Sequence, residues 1–220
     1  MQSRYSSASA VCTYLFDIYN SINMSKALIW LSGGFICAVI FYFHTETGVL
    51  AFAAMIFVLS FITERDKIWA WIPAFFISWL WVFTARDLYG SYNVFKYSFY
   101  GITLFPIAAW PAMLMGMFFL IFAQIKGGNR RMKWLKYSLC YSGCLILAEY
   151  IGYNFAGVHL SSGSVYPGWP VLNIFHCPWW MQAGYFLNGI VFCGIIAFFS
   201  SRKITWESIN QKIRTYFSCL

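Results

Sequence analysis

The sequence predicts an all-α integral membrane bundle of six helices. Three observations carry that expectation: the composition, six apolar runs of bilayer length, and the placement of basic residues between them. The chain of 220 residues is 60% hydrophobic, 22% aromatic and only 10% charged, with a mean hydropathy of +0.63. An ordinary soluble domain carries about 25% charged residues. So few polar groups cannot cover a folded surface in water, whereas a bilayer core asks for about 20 apolar residues per crossing helix.

Taken in order, the expected crossings are Ala27 to Phe43, Gly48 to Ile62, Ile68 to Thr84, Gly101 to Ile125, Leu135 to Val158 and Trp179 to Phe199. The second is short. The fourth is long and holds Pro106 and Pro111, so its first part is expected to be a kinked or interfacial turn, with the helix proper starting near Pro111. The organisation that follows is an N-terminal cytoplasmic or interfacial segment over 1–26, a six-span domain over 27–199 and a basic amphipathic tail over 200–220.

Charge sets the expected orientation. Alternate connections place 13 of the 15 basic residues on one side, among them Lys26, Arg65, Lys67, Arg130, Arg131 and Lys136, and leave only Arg86 and Lys96 on the other. By the positive-inside rule both termini are cytoplasmic. The net charge of +8 is then a matter of topology and contact with anionic headgroups, and no nucleic-acid partner is expected because the basic residues flank spans. A prokaryotic inner membrane fits the size and the charge asymmetry. Trp30, Trp69, Trp71, Trp134 and Trp206 near one set of span ends, and Trp79, Trp81, Trp110, Trp179 and Trp180 near the other, are expected as two interfacial belts.

Both ends of the chain have helical apolar spacing. Val11, Tyr14, Leu15, Ile18 and Ile22 suggest a surface-lying helix, as do Trp206, Ile209, Ile213, Tyr216 and Phe217 beside Arg202, Lys203, Lys212 and Arg214. The segment around Lys26 has the charge and apolarity of a signal sequence without a cleavage site, and so is expected to remain as the first span. The seven cysteines do not form a disulfide framework. Cys140 and Cys144, four apart on one helical face, are expected to pack as small apolar groups.

Glu149 is the only acid inside any of the six apolar runs. A carboxylate in hydrocarbon is costly and calls for a reason. It lies 13 residues beyond Lys136, roughly 20 Å along a helix at about 1.5 Å per residue, which is just past the bilayer midplane. Desolvation at that depth favours the neutral acid. Ser142, Gly152, Tyr153 and Ala156 share its helical face, mostly small residues that let a neighbour or a ligand approach.

The connection from His159 to Pro178 holds twenty residues without a single Asp, Glu, Lys or Arg. With Pro167-Gly168-Trp169-Pro170 at its centre it is expected to turn and fold back onto the bundle. Its two histidines, His159 and His176, bracket it. The candidate constellation is therefore Glu149, His159 and His176 as catalytic groups, with Arg86, Asp87, Asn154, Gln182, Tyr185 and Asn188 as substrate-binding groups. No recognised metal-ligand spacing is present, so no metal is expected, and the cofactor is left unassigned.

Signatures of H-E-x-x-H, G-x-S-x-G, Walker A and Rossmann type are missing, which weighs against nucleotide-driven transport and common hydrolase chemistry. No paired-acid motif for Mg²⁺ and diphosphate occurs in the spans. The halves show no convincing repetition, which weighs against a secondary transporter, although six spans can form one by dimerising, so a homo-oligomer stays open. Three uses of Glu149 follow: proton donor in an enzyme acting on an apolar lipid or isoprenoid, relay in a small transporter, or packing group in a non-enzymatic subunit, with Gln182, Tyr185 or Asn188 as hydrogen-bond donors.

Overall fold

The computed structural model describes residues 28–89, 96–122, 125, 128–158 and 165–201, and the expected terminal surface helices lie outside them. The described chain is mostly helical. Helix α1 covers Leu28–Phe43 and α2 Thr45–Thr63. A 3₁₀ turn over Arg65–Ala70 leads into α3, Trp71–Thr84, which is followed by the single turn α4, Arg86–Tyr89. A small hairpin of β1, Ser98–Phe99, and β2, Ile102–Thr103, precedes α5, Leu104–Leu120. Helices α6, Arg130–Asn154, and α7, Trp179–Ser201, complete the described chain.

Among the described residues, three helical stretches are long and apolar enough to cross a membrane: α2, the 3₁₀ turn continued by α3, and α7. Helices α1 and α5 are apolar but shorter. Helix α6 is the longest at 25 residues, and the four basic residues in its first two turns dilute its apolarity. Large apolar side chains cover outward faces as well as the core, with Leu31, Phe35, Ile72, Phe76 and Leu139 all exposed.

Several boundaries differ from those expected, each for a local reason. Helix α2 is not short. It starts at Thr45 immediately after the break at His44, and a Cβ at Gly48 would collide with the Phe41 backbone, so glycine is what lets α1 and α2 turn so sharply. Helix α5 begins at Leu104, not near Pro111, because the hairpin reverses the chain just before it. The hairpin pairs Ser98 with Thr103 and Phe99 with Ile102, and both turn residues, Tyr100 at φ 48° and Gly101 at φ 71°, are left-handed, as a two-residue turn between right-twisted strands requires. Pro106 then falls in the first helical turn, where its missing N–H costs nothing. Helix α6 starts at Arg130 because Asn129 caps it, its side chain accepting the Met132 N–H at 3.0 Å.

Packing falls into two linked groups. Helix α5 lies against α2 and α3, while α6 lies mainly against α7, and α3 meets α7 between them. Ser60 stitches α2 to α3, its hydroxyl accepting the Trp71 indole N–H at 2.8 Å. Glu46, buried in the first turn of α2, accepts the backbone N–H groups of Lys96 at 2.7 Å and Tyr97 at 3.2 Å, tying α2 to the hairpin. Along α7, Gly184 receives the Trp81 ring and Gly189 the Tyr141 ring. The Tyr141 hydroxyl donates to the Tyr185 carbonyl at 2.8 Å, so a small residue and a hydrogen bond together hold α6 on α7. Gly189→Ala should accordingly lower stability by about 1–3 kcal/mol through overpacking, whereas Gly143→Ala, with nothing near its Cβ, should be neutral or stabilising by up to about 1 kcal/mol. Thermal unfolding in detergent checks the pair; equal midpoints would contradict the close approach.

Candidate functional site

Helix α6 turns one face toward a cavity. Cys144 and Leu145, Ala148 and Glu149, and Gly152 and Tyr153 recur at four-residue spacing, which stacks them on one side of a helix, and all six line a space of about 680 Å³. The facing wall is α5 from Phe105 to Leu120, with Val49 and Phe52 of α2 closing the side. Tyr89 and Tyr185 enter from α4 and α7. The walls are apolar and aromatic with few polar groups, as ligand cavities generally are. Glu149 is the only carboxylate in the lining.

The segment over 165–178 forms a cap on this cavity. Trp169 and Ile174 form an isolated antiparallel bridge, closed by Trp169 N–H to Ile174 O at 2.8 Å and Asn173 N–H to Trp169 O at 2.8 Å. Gly168 is left-handed, and a Cβ there would meet the Ile174 carbonyl oxygen and the His176 ring, so the Pro-Gly turn admits no larger residue. Gln182 anchors the cap from α7: its Oε1 accepts the Trp169 indole N–H at 3.1 Å, and its Nε2 donates to the carbonyls of Phe175 at 3.0 Å and Cys177 at 2.9 Å. The Phe175 backbone lies within hydrogen-bonding reach of Glu149. The capped carboxyl thus faces a cavity, a backbone donor and aromatic walls.

A second chain of amides holds the cap to α6. Asn154 Nδ2 donates to the carbonyls of Tyr150 at 3.1 Å and Leu172 at 3.4 Å, and its Oδ1 accepts Asn173 Nδ2 at 3.2 Å. That leaves Asn173 Oδ1 facing His176 Nε2 at 3.0 Å, while His176 Nδ1 faces the Tyr166 carbonyl at 3.0 Å. The His176 ring stacks on Tyr153 with centroids 4.0 Å apart and planes 11° from parallel. His176 therefore meets the cavity with its ring while both nitrogens serve the cap.

On the other side, Tyr89 gathers the polar ends of two buried tryptophans. Its hydroxyl accepts the indole N–H of Trp81 at 2.9 Å and of Trp110 at 2.8 Å, and Tyr185 is a further hydrogen-bonding partner. Burial pushes the Tyr89 phenol above its ordinary range, so it stays a neutral hydroxyl. Burial likewise pushes the Cys177 thiol up to about 12, with the Glu149 charge acting in the same direction, and a thiol so placed is unreactive at neutral pH. Cys140, Cys144, Cys177 and Cys193 are all free.

The expected constellation is therefore brought together in part. Glu149, His176 and Tyr185 line the cavity; Asn154 and Gln182 hold its cap; Asn188 Nδ2 is buried with no hydrogen-bond partner. Arg86 and Asp87 are exposed on α4, away from the lining, and the Arg86 guanidinium lies against the hairpin turn at Gly101. His159 lies outside the described residues. Among the described residues no three His, Cys, Asp or Glu side chains gather as metal ligands would. Trp71, Trp81 and Trp110 are buried, which corrects their assignment to interfacial belts. Tyr89, Trp110, Thr45 and the α5 wall were not among the expected site residues.

No protein-family model, no curated protein and no solved structure matches this chain.

Two substitutions test the scaffold of the site. Tyr89→Phe strands two indole donors and should cost about 2 kcal/mol or more, read as a lower unfolding midpoint in detergent. Gln182→Ala removes three cap contacts and should speed hydrogen exchange in peptides covering 165–178 without changing exchange in α2; unchanged exchange in the cap would contradict its anchoring.

Proposed function

We propose that this chain is an integral membrane protein of six crossings, with both ends on the basic side, that acts as an enzyme on an apolar, olefinic lipid or isoprenoid. The observation that carries the reading is Glu149 as the lone carboxylate in an otherwise apolar, capped cavity. The bilayer is its partner and, by the charge asymmetry, a prokaryotic inner membrane its location. The exposed apolar faces of α1, α3 and α6 support a hydrocarbon surround.

The chemistry such a group performs is proton transfer. A carboxylic acid held against a carbon-carbon double bond gives its proton to one carbon, the π pair forming the new C–H bond and leaving a cation on the other carbon. The aromatic faces of Tyr153, Trp110 and Phe105 lining the cavity are of the type that stabilises such a cation. Loss of a proton from a neighbouring carbon back to the Glu149 carboxylate closes the cycle as an isomerisation, and no oxidant, reductant or cofactor is consumed. In this reading the cap and the surrounding hydrocarbon keep water from the cation, which it would otherwise trap. His176 serves as a positioning residue through its stacking on Tyr153.

A packing role for Glu149 would draw on Gln182, Tyr185 or Asn188 as donors; Gln182 is engaged by the cap, Tyr185 bonds Tyr89, and Asn188 Nδ2 meets no acceptor. Comparison of lipid extracts from cells with and without the gene tests the proposal. A lipid isomer present only with the gene is the expected result, and Glu149→Gln should lower its formation by about a hundredfold or more, the scale of losing a general acid, with the folded level unchanged on size exclusion. An unchanged lipid profile, or full activity in Glu149→Gln, would overturn it and favour a transporter or a non-enzymatic subunit.

A further inference from the structure

The cavity has two unlike ends. Thr45, Tyr89, Tyr153, His176, Tyr185 and Glu149 contribute its polar lining, and all of them lie on or next to elements at the capped end. From there α5 carries the wall down through Met113, Gly116 and Met117 to Leu120 and Ile121, where it is apolar throughout. Phe105 and Leu120 are fifteen residues apart on α5, roughly 22 Å at about 1.5 Å per residue, more than one leaflet's share of a hydrocarbon core about 30 Å thick. The volume of about 680 Å³ suits one slender molecule. The long side of the space runs between α5 and α6, which pack on different neighbours.

We infer that the cavity takes a single-chain amphiphile, its polar end under the cap beside Glu149 and its tail along the seam between α5 and α6, and that α6 sets how much tail the seam accepts at positions 148 and 144, with Gly152 beside the polar end. This deepens the proposed function and rests on its placement of the reacting end at Glu149. Ala148 and Cys144 follow Gly152 on successive turns of one face, so moving a block from 148 to 144 shifts the stop by about 6 Å. Gly152 is the most permissive: it lines the cavity, and a Cβ there meets nothing within 4 Å. A two-chain phospholipid does not fit a space of this size and one-ended polarity.

Displacement of the fluorescent fatty acid cis-parinaric acid from the purified, detergent-solubilised chain tests this, with straight-chain alcohols from octanol to eicosanol as competitors. The wild type should bind one probe per chain and prefer longer alcohols. Cys144→Phe should exclude the longer alcohols, Ala148→Phe shorter ones as well, and Gly152→Phe, at the polar end, nearly all, each excluded alcohol binding about tenfold or more weakly. Gly143→Phe, also in open space but off the lining, should behave as wild type. Leucine replacements serve where a phenylalanine variant does not elute as a single species. A common cut-off in all variants, or equal competition by a two-chain phosphatidylcholine, would overturn the inference. Because binding is read without any reaction, the two readings fail separately: loss of activity in Glu149→Gln bears on the proton chemistry, and loss of the graded cut-off in the Ala148 and Cys144 variants bears on the ruler.

Discussion

A carboxyl group surrounded by hydrocarbon-like side chains has to be given space, a donor and a cover, and the architecture around Glu149 supplies each from a different element. Space comes from the separation of α5 and α6, which lean on different neighbours. A backbone donor is supplied by Phe175. The cover is the segment over 165–178, whose polar groups are consumed by Gln182, Asn154, Asn173 and His176. An uncharged connection can dip among apolar helices only if its backbone is satisfied in this way, so the cap and the acid depend on one another.

The opposite wall obeys the same rule by different means. Tryptophan and tyrosine carry one polar atom on a large apolar body, and when buried that atom needs a partner. Trp81, Trp110, Tyr89 and Tyr185 meet one another's needs. Their rings then fill the volume beside the cavity, and Gly184 and Gly189 on α7 let the Trp81 and Tyr141 rings approach.

Glu149 was legible in the sequence because an acid in an apolar run is costly enough to stand out, and the cap because twenty uncharged residues around a Pro-Gly turn do not suit an aqueous loop. The Trp81–Tyr89–Trp110 cluster was not legible. In a chain apolar on every face, periodicity does not separate the side of a helix that meets a neighbour from the side that meets lipid, so buried indoles read as belt anchors. The start of α5 was misplaced because Tyr100 and Gly101 form a tight turn without the usual Asn-Gly or Asp-Gly signal. Glu46 escaped notice for the opposite reason to Glu149: just outside an apolar run, it reads as a loop acid, yet it is buried and binds two backbone N–H groups.

The Glu149 carboxyl opens into an apolar cavity. Dicyclohexylcarbodiimide, an apolar reagent for carboxyl groups, reports on this directly when the modified peptide is quantified by mass spectrometry in the absence and presence of oleyl alcohol. Glu149 should be modified by this reagent, spared by a water-soluble carbodiimide, and protected when oleyl alcohol fills the cavity. Modification that oleyl alcohol leaves unchanged, as for a side chain facing lipid, or equal modification by the water-soluble reagent, would contradict the account.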